Sequence, residues 1–357
     1  MGLIHKIMAR FVQYTPTQSY IGAINKYENW INSNDDSSTI CFVNDKQCTK
    51  SDNNNIAIRS HLISKSANLK PISKNGKVKI VKINHKNPYF RKLTDSAIKS
   101  TTTFPGFCKY HDKKLFEPIE GERILNYTNE HFLLLCLRVA VQRRYTAKKE
   151  QLKANKNLHH FNEKIITQML KETAQHSFKH DCIQHQLKPN RLRYLKYLFK
   201  TSLSFYFENI RIKKIEKENY TAFNKLSNLL LEAVQIRKHS IVKFNHYSIT
   251  TNKIAFSSVY FIPSHRKELF IFLFVLPNNM GSDILIGCLD EHYKLLQEDV
   301  CVKKCFDGDL EQIQKLIMLE KEEIISNGNA FDDYDYLEMC LSEDNPTFDI
   351  FPPNILK

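Results

Sequence analysis

Cys41 and Cys48 stand with six residues between them in CFVNDKQC, and Cys108 and His111 stand at Cys-x-x-His spacing in TFPGFCKYHDKKLF. Three thiols and one imidazole match the kind and number of ligands that tetrahedral zinc takes in a structural site. Between the two pairs lies His61, preceded by Ser60 in RSHLISKS, and it is not needed as a ligand. Asp112 follows His111 directly, at the start of an expected helix, and Lys113 comes next. Each residue also has a plainer reading. The cysteines fit buried small hydrophobes. His61 fits a hydrogen-bonded neighbour of the zinc site or a substitute ligand for His111. Asp112 fits a helix cap.

The order Cys41, Cys48, Ser60-His61, Cys108, His111, Asp112 resembles the zinc-stapled HNH, or ββα-metal, nuclease module over residues 38–120. SHLIS stands in the slot of that family's Asp-His-Ile-x-Pro, and CKYHDKK in the slot of its Cys-x-x-Cys-Asn-x-x-Lys. The resemblance implies a structural Zn²⁺ on Cys41, Cys48, Cys108 and His111. It makes His61 the general base, Asp112 the terminal ligand of a catalytic Mg²⁺ or Mn²⁺, and Asn75 the residue that orients the base. It implies an endonuclease hydrolysing nucleic-acid phosphodiesters, with bacterial defence as a setting. The chain departs from the family in three places. The first knuckle is longer, Ser60 replaces an aspartate, and 46 residues separate His61 from Cys108. The alternative expectation is a non-catalytic, zinc-stabilised module that binds nucleic acid or protein.

The elements that must hold these residues give an α+β expectation with four parts. Residues 1–39 form a helical lead-in. Residues 40–120 are irregular, with turn signals and one alternating run, KVKIVKIN, so something besides a continuous apolar core must hold them together, and a metal is one such thing. Residues 121–238 are helical, with segments from about 128, over 159–180, over 191–215 and over 218–237. Thr128 or Asn129 caps the first. Residues 239–357 carry four strands, VKFNHYSIT, KIAFSSVYFIP, LFIFLFVLP and DILIGCL, with PNNMGSD as a hairpin turn. Two helices follow, one capped by Asp290 and one over 309–326.

Charge divides the chain. Residues 1–215 carry a net +22 and residues 216–357 a net −8. The basic part points to nucleic acid, DNA or RNA, with Lys113, Arg143, Arg144 and Lys148 as phosphate contacts. Amphipathic helices with solvated lysines are the competing reading. The acidic C-terminal part is a candidate surface for a protein partner. The N-terminus reads as neither a signal peptide nor a myristoylation site. The most apolar run is about ten residues, a strand rather than a membrane span. Nine scattered cysteines argue against a disulfide framework. The expectation is a cytoplasmic protein with no membrane association. Glycine-rich phosphate loops are absent. HSFKHDCIQH (His176, His180, Cys182, His185) and CVKKC (Cys301, Cys305) are weaker metal candidates, and FDGDLEQ reads as a helix cap.

Overall fold

The computed structural model describes residues 40–50, 55–83, 91–121, 123–160, 191–263, 268–319 and 324–326. The lead-in, the His176–His185 cluster and the acidic tail lie outside the described residues. The chain divides into two compact units. Met1–Ser37 and Thr146–Thr221 make one, and its described residues are helical. Ser38–Tyr145 and Ala222–Lys357 make the other, which holds the candidate site.

The second unit is α+β. Strand β1 (Ile58–His61) is followed by a five-residue π-helical turn (Lys65–Leu69) that runs into a short helix (Lys70–Ile72). Then come β2 (Lys77–Ile83), β3 (Arg91–Ala97), β4 (Thr103–Phe107) and helix α1 (Lys109–Phe116). Two long helices, α2 (Asn129–His160) and α3 (Arg191–Gln235), precede β5 (Val242–Ile249), β6 (Ile254–Pro263), β7 (Glu268–Asn278) and β8 (Gly281–Leu289). Three short helices, α4 (Asp290–Leu296), α5 (Val300–Phe306) and α6 (Leu310–Leu319), lead to β9 (Ile325–Ser326). β1 and β4 pair as a two-stranded antiparallel ladder. The other strands form one sheet in the order β3-β2-β9-β6-β7-β8-β5. Hairpin β2–β3, from the N-terminal part of the chain, therefore shares a sheet with the C-terminal strands.

Period-two alternation decides which residue faces which core. On β7, Phe270, Phe272, Phe274 and Leu276 join the core that contains the cysteine knuckles and helices α2 and α3. Ile271, Leu273 and Val275 face the other way, onto Leu296, Phe306, Ile313 and Ile317 of α4, α5 and α6. A strand buried on both faces reads as a continuous apolar run, which is why LFIFLFVLP has no polar alternation.

Helix α2 starts with a reciprocal cap. Thr128 Oγ1 accepts from the His131 amide at 3.4 Å, and His131 Nδ1 accepts from the Thr128 amide at 3.2 Å. One turn in, Phe132 stacks on Phe244 at 4.7 Å and meets Phe272 and Phe274 edge-on. It fits because β8 carries Gly287 there. A Cβ at Gly287 would lie 2.5 Å from the Phe132 ring and 2.4 Å from the Lys243 carbonyl oxygen. This contact seats α2 on the sheet.

Several local expectations need amending. Residues 191–235 form one helix rather than two, since no glycine or proline interrupts them. Asp290 lies in the first turn of α4, and Leu289 takes the capping position. The helix expected over 309–326 ends at Leu319, because Ile325 and Ser326 pair with both β2 and β6 and close the gap between them. Asp309, in FDGDLEQ, does act as a cap, accepting from the Glu311 and Gln312 amides. The turn in PNNMGSD joins β7 to β8, with Asn278 opposite Gly281. Gly281 has φ of +147°, and a side chain there would strike the Ile249 carbonyl. Among the described residues no helix is long and apolar enough to cross a membrane.

Candidate functional site

Cys41, Cys48, Cys108 and His111 converge in one buried cluster, with their ligand atoms all within 4.8 Å of one another. His111 Nδ1 lies 3.6 Å from Cys41 Sγ, 3.5 Å from Cys48 Sγ and 3.3 Å from Cys108 Sγ. A tetrahedral ion with bonds of about 2.3 Å to sulfur and about 2.0 Å to nitrogen needs sulfur–nitrogen edges of about 3.5 Å. The donor set and its spacing therefore fit a structural ion such as zinc.

Local structure explains each ligand. Cys108 is the N-terminal capping residue of α1, and His111 lies in the first turn. Positions three apart at a helix start face the same side, so Cys-x-x-His makes one claw. The Asp112 amide bonds to the Cys108 carbonyl at 2.9 Å and closes that turn. The Cys41–Cys48 loop is pinned to its surroundings by Cys41 N to Asn55 O and by Phe42 N to Gly106 O. It reverses at Asn44, whose φ is +46°. Asp45 then caps a 3-10 turn, accepting from the Gln47 amide at 2.8 Å, and this turn delivers Cys48. The six-residue spacer is thus a built loop.

Asp45 has a second role. Its carboxylate lies 3.4 Å from His111 Nε2, on the far side of the ring from the cysteines. A carboxylate behind a ligating histidine fixes the tautomer and raises ligand basicity. Burial pushes the His111 imidazole below its usual pKa, with Asp45 opposing, so the ring is neutral and ready to ligate at neutral pH. Burial pushes the Cys41 thiol up and that of Cys48 up to about 12, and the neighbouring cysteines add to the effect. In a dry site the Cys41 and Cys48 thiols resist ionisation until a cation compensates their charge.

The residues beside the cluster follow a strand–strand–helix frame: β1, then β4, then α1. His61 ends β1 opposite Thr103, and Ser60 is opposite Phe104. His61 Nε2 lies 3.0 Å from the Ile98 carbonyl oxygen. A carbonyl accepts only, so Nε2 is the donor in this contact. Asp112, on α1, feels both Ser60 and His61. Its pKa is raised by burial, against the opposing pull of Arg138, Ser60 and His61. Ser60 Oγ and Asp112 Oδ1 are both buried, and neither makes a hydrogen bond of good geometry. The 46 residues between His61 and Cys108 contain hairpin β2–β3, which is built into the large sheet.

Asn75 is exposed in the turn that leads into β2, with Lys74 and Lys77 bonded to each other across it, and the carbonyl of the adjoining Gly76 accepts from the Ile98 amide, the residue whose own carbonyl meets His61. Positive φ at Asn75 (53°) and Gly76 (72°) is the pattern of a type I′ turn, which favours Asn-Gly on its own account. Lys113 is exposed on α1. Arg143 donates to Ser258 Oγ at 2.6 Å. Arg144 donates to Asn224 Oδ1 at 2.8 Å and lies over the Phe42 ring at 4.8 Å. Lys148 Nζ lies 5.0 Å from the Tyr220 ring centroid. Both arginines thus have packing roles that their sequence context did not reveal. Cys301 is exposed and Cys305 buried on α5, and neither belongs to a ligand cluster among the described residues.

Two residues that sequence reasoning passed over are central here. Asp45 lies inside the first knuckle, in reach of any ligand the knuckle meets. Arg138 is 1% exposed on α2. Its Nη1 meets Glu120 at 2.5 Å, its Nη2 lies 3.9 Å from Asp112 Oδ1, and its guanidinium covers the Phe116 ring at 4.0 Å. The available signal was a single arginine inside the apolar run FLLLCLRVAV. A buried charge needs a partner, and such a residue marks one.

Comparison with protein-family models, with curated proteins and with solved structures finds no match to this chain, so the reading of the site rests on its own geometry.

Proposed function

We propose that the chain is a metal-stabilised hydrolase of nucleic-acid phosphodiesters, with His61 as its general base. The observation that carries this reading is the His61 imidazole: it ends β1 with Nε2 3.0 Å from the Ile98 carbonyl oxygen, and it acts electrostatically on the buried Asp112 carboxyl of α1. In this reading Nδ1 takes a proton from the attacking water. The Ile98 carbonyl holds the ring and favours the imidazolium as it forms. Lys113, exposed one residue beyond Asp112, neutralises a phosphate oxygen. A divalent ion, Mg²⁺ or Mn²⁺, bound through Asp112 would stabilise the charge that develops on the scissile phosphate. The net +22 of residues 1–215 supports a polyanionic substrate.

A second reading is favoured by Ser60 and Arg138. A hydroxyl is a weaker hard-cation ligand than a carboxylate, and Arg138 already places a positive charge near Asp112. In that case the cluster supports a non-catalytic module that binds nucleic acid or a protein partner. The test is cleavage of plasmid, single-stranded DNA and RNA with Mg²⁺ or Mn²⁺, comparing wild type with His61→Ala at equal zinc content. Cation-dependent cleavage that falls at least 100-fold in the variant supports the hydrolase. Binding without cleavage, or cleavage that survives His61→Ala, removes His61 from catalysis and favours the second reading.

A further inference from the structure

We propose that Arg138 is a positioning residue for the metal centre: it clamps the ligand-bearing turn of α1 to the core, so that metal affinity depends on a side chain that ligates nothing. The inference does not depend on the chain being a nuclease.

Arg138 is buried in an otherwise apolar stretch of α2, between Leu137 and Val139, both fully buried. Two carboxylates meet its guanidinium from one segment of chain: Asp112 from the first turn of α1, and Glu120 from just beyond the end of that helix. The flat face of the guanidinium lies on Phe116, from the last turn of the same helix. Phe116 in turn packs edge-on against Phe107 at 4.9 Å, and Phe107 precedes the ligand Cys108. One side chain of α2 thus grips α1 at its beginning, at its end and just beyond it.

The beginning of α1 is where the metal ligands lie. Asp112 adjoins His111, and its amide closes the turn onto the Cys108 carbonyl. The side chain of Asp112 is 25% exposed, whereas its Oδ1 is wholly buried and makes no hydrogen bond of good geometry. Without Arg138, a buried carboxylate oxygen would lose its nearby guanidinium, a costly state. One relief is rotation of the first turn of α1, now released from the guanidinium, toward solvent. That rotation carries Cys108 and His111 away from Cys41 and Cys48. Glu120 has no such effect, because its side chain is 36% exposed and can be hydrated where it is.

This argument predicts a specific rescue. Arg138→Met keeps an apolar side chain over Phe116 but leaves Asp112 unpaired. Adding Asp112→Asn removes the stranded charge, so the double variant should regain what the single variant loses. A role of Arg138 in packing alone gives no such recovery.

The experiment is zinc affinity of the full chain, measured by competition with a chromogenic chelator, for wild type, Arg138→Met and Arg138→Met/Asp112→Asn. Circular dichroism and zinc stoichiometry report folding. The expected result is a loss of 10-fold or more in Arg138→Met, within the 10–100-fold range of outer-shell partners, with the double variant returning to within a few-fold of wild type. If Arg138→Met does not fold, recovery of a folded, zinc-binding double variant is the supporting result. Wild-type affinity in Arg138→Met overturns the proposal. So does a double variant that remains as weak, or as unfolded, as the single one.

Discussion

Replacing Cys48 by serine tests the metal centre at the end of the first cysteine loop. Cys48 Sγ is 3.5 Å from His111 Nδ1, at the end of a short 3-10 turn, and the residue is 2% exposed. Structural zinc sites bind with about 10–16 kcal/mol at neutral pH. Shared over four ligands, one ligand accounts for about 3 kcal/mol, or roughly a 100-fold loss of zinc affinity. The size change is small, so the folded core should tolerate it, and the loss should appear in affinity before it appears in secondary structure. Since zinc binds only the native site, each tenfold rise in free zinc above the dissociation constant adds about 1.4 kcal/mol of stability. The assay is chelator competition, paired with thermal unfolding at two zinc concentrations. Wild type should gain stability between the two, and Cys48→Ser should gain little. Asp45→Asn is the graded control: it keeps all four ligands and weakens only the support behind His111, so its loss should be about 10-fold. Wild-type zinc affinity in Cys48→Ser would refute the four-ligand assignment. An unaltered affinity in Asp45→Asn would refute the role given to the 3.4 Å contact.

Two further outcomes follow from the same physical arguments. Zinc binding should weaken steeply as pH falls: burial raises the Cys41 and Cys48 thiols in the metal-free protein, so these protons must leave for the ion to enter, while His111, lowered by burial, is already neutral. Near neutral pH the logarithm of the affinity should climb by at least about two per pH unit, one each for Cys41 and Cys48, and calorimetry in buffers of different ionisation enthalpy should count at least about two protons released; a slope near zero would mean that these thiols are already ionised. Gly287→Ala should destabilise the sheet–helix contact by about 1–3 kcal/mol or more, read as a lower urea midpoint, because one of the two close contacts is the fixed Lys243 carbonyl and not a side chain that can rotate; an unchanged midpoint would show that α2 is not seated through Phe132 and Gly287.

The sequence by itself singled out the candidate ligands, and for Cys108 and His111 it did so for a local reason. Cys108 and His111 are three apart at the start of a helix, and that spacing alone puts both side chains on one face. It also determined the strands of the large sheet that lie between 242 and 289, since their β-branched and aromatic runs are bounded by clear turn signals. Only the tertiary structure decided which charges serve the site. Arg143 and Arg144 look in sequence like phosphate contacts, yet the fold turns them onto Ser258, Asn224 and Phe42. Arg138 looks like an interruption in an apolar helix, yet it sits over Phe116 between Asp112 and Glu120. Ile325 and Ser326 lie beyond the last helix, yet they are the link between the N-terminal hairpin and the C-terminal strands. The difference is one of range. Capping, ligand spacing and hairpin turns are settled within a few residues, whereas a buried charge or a sheet partner is settled by segments that meet only after the chain has folded.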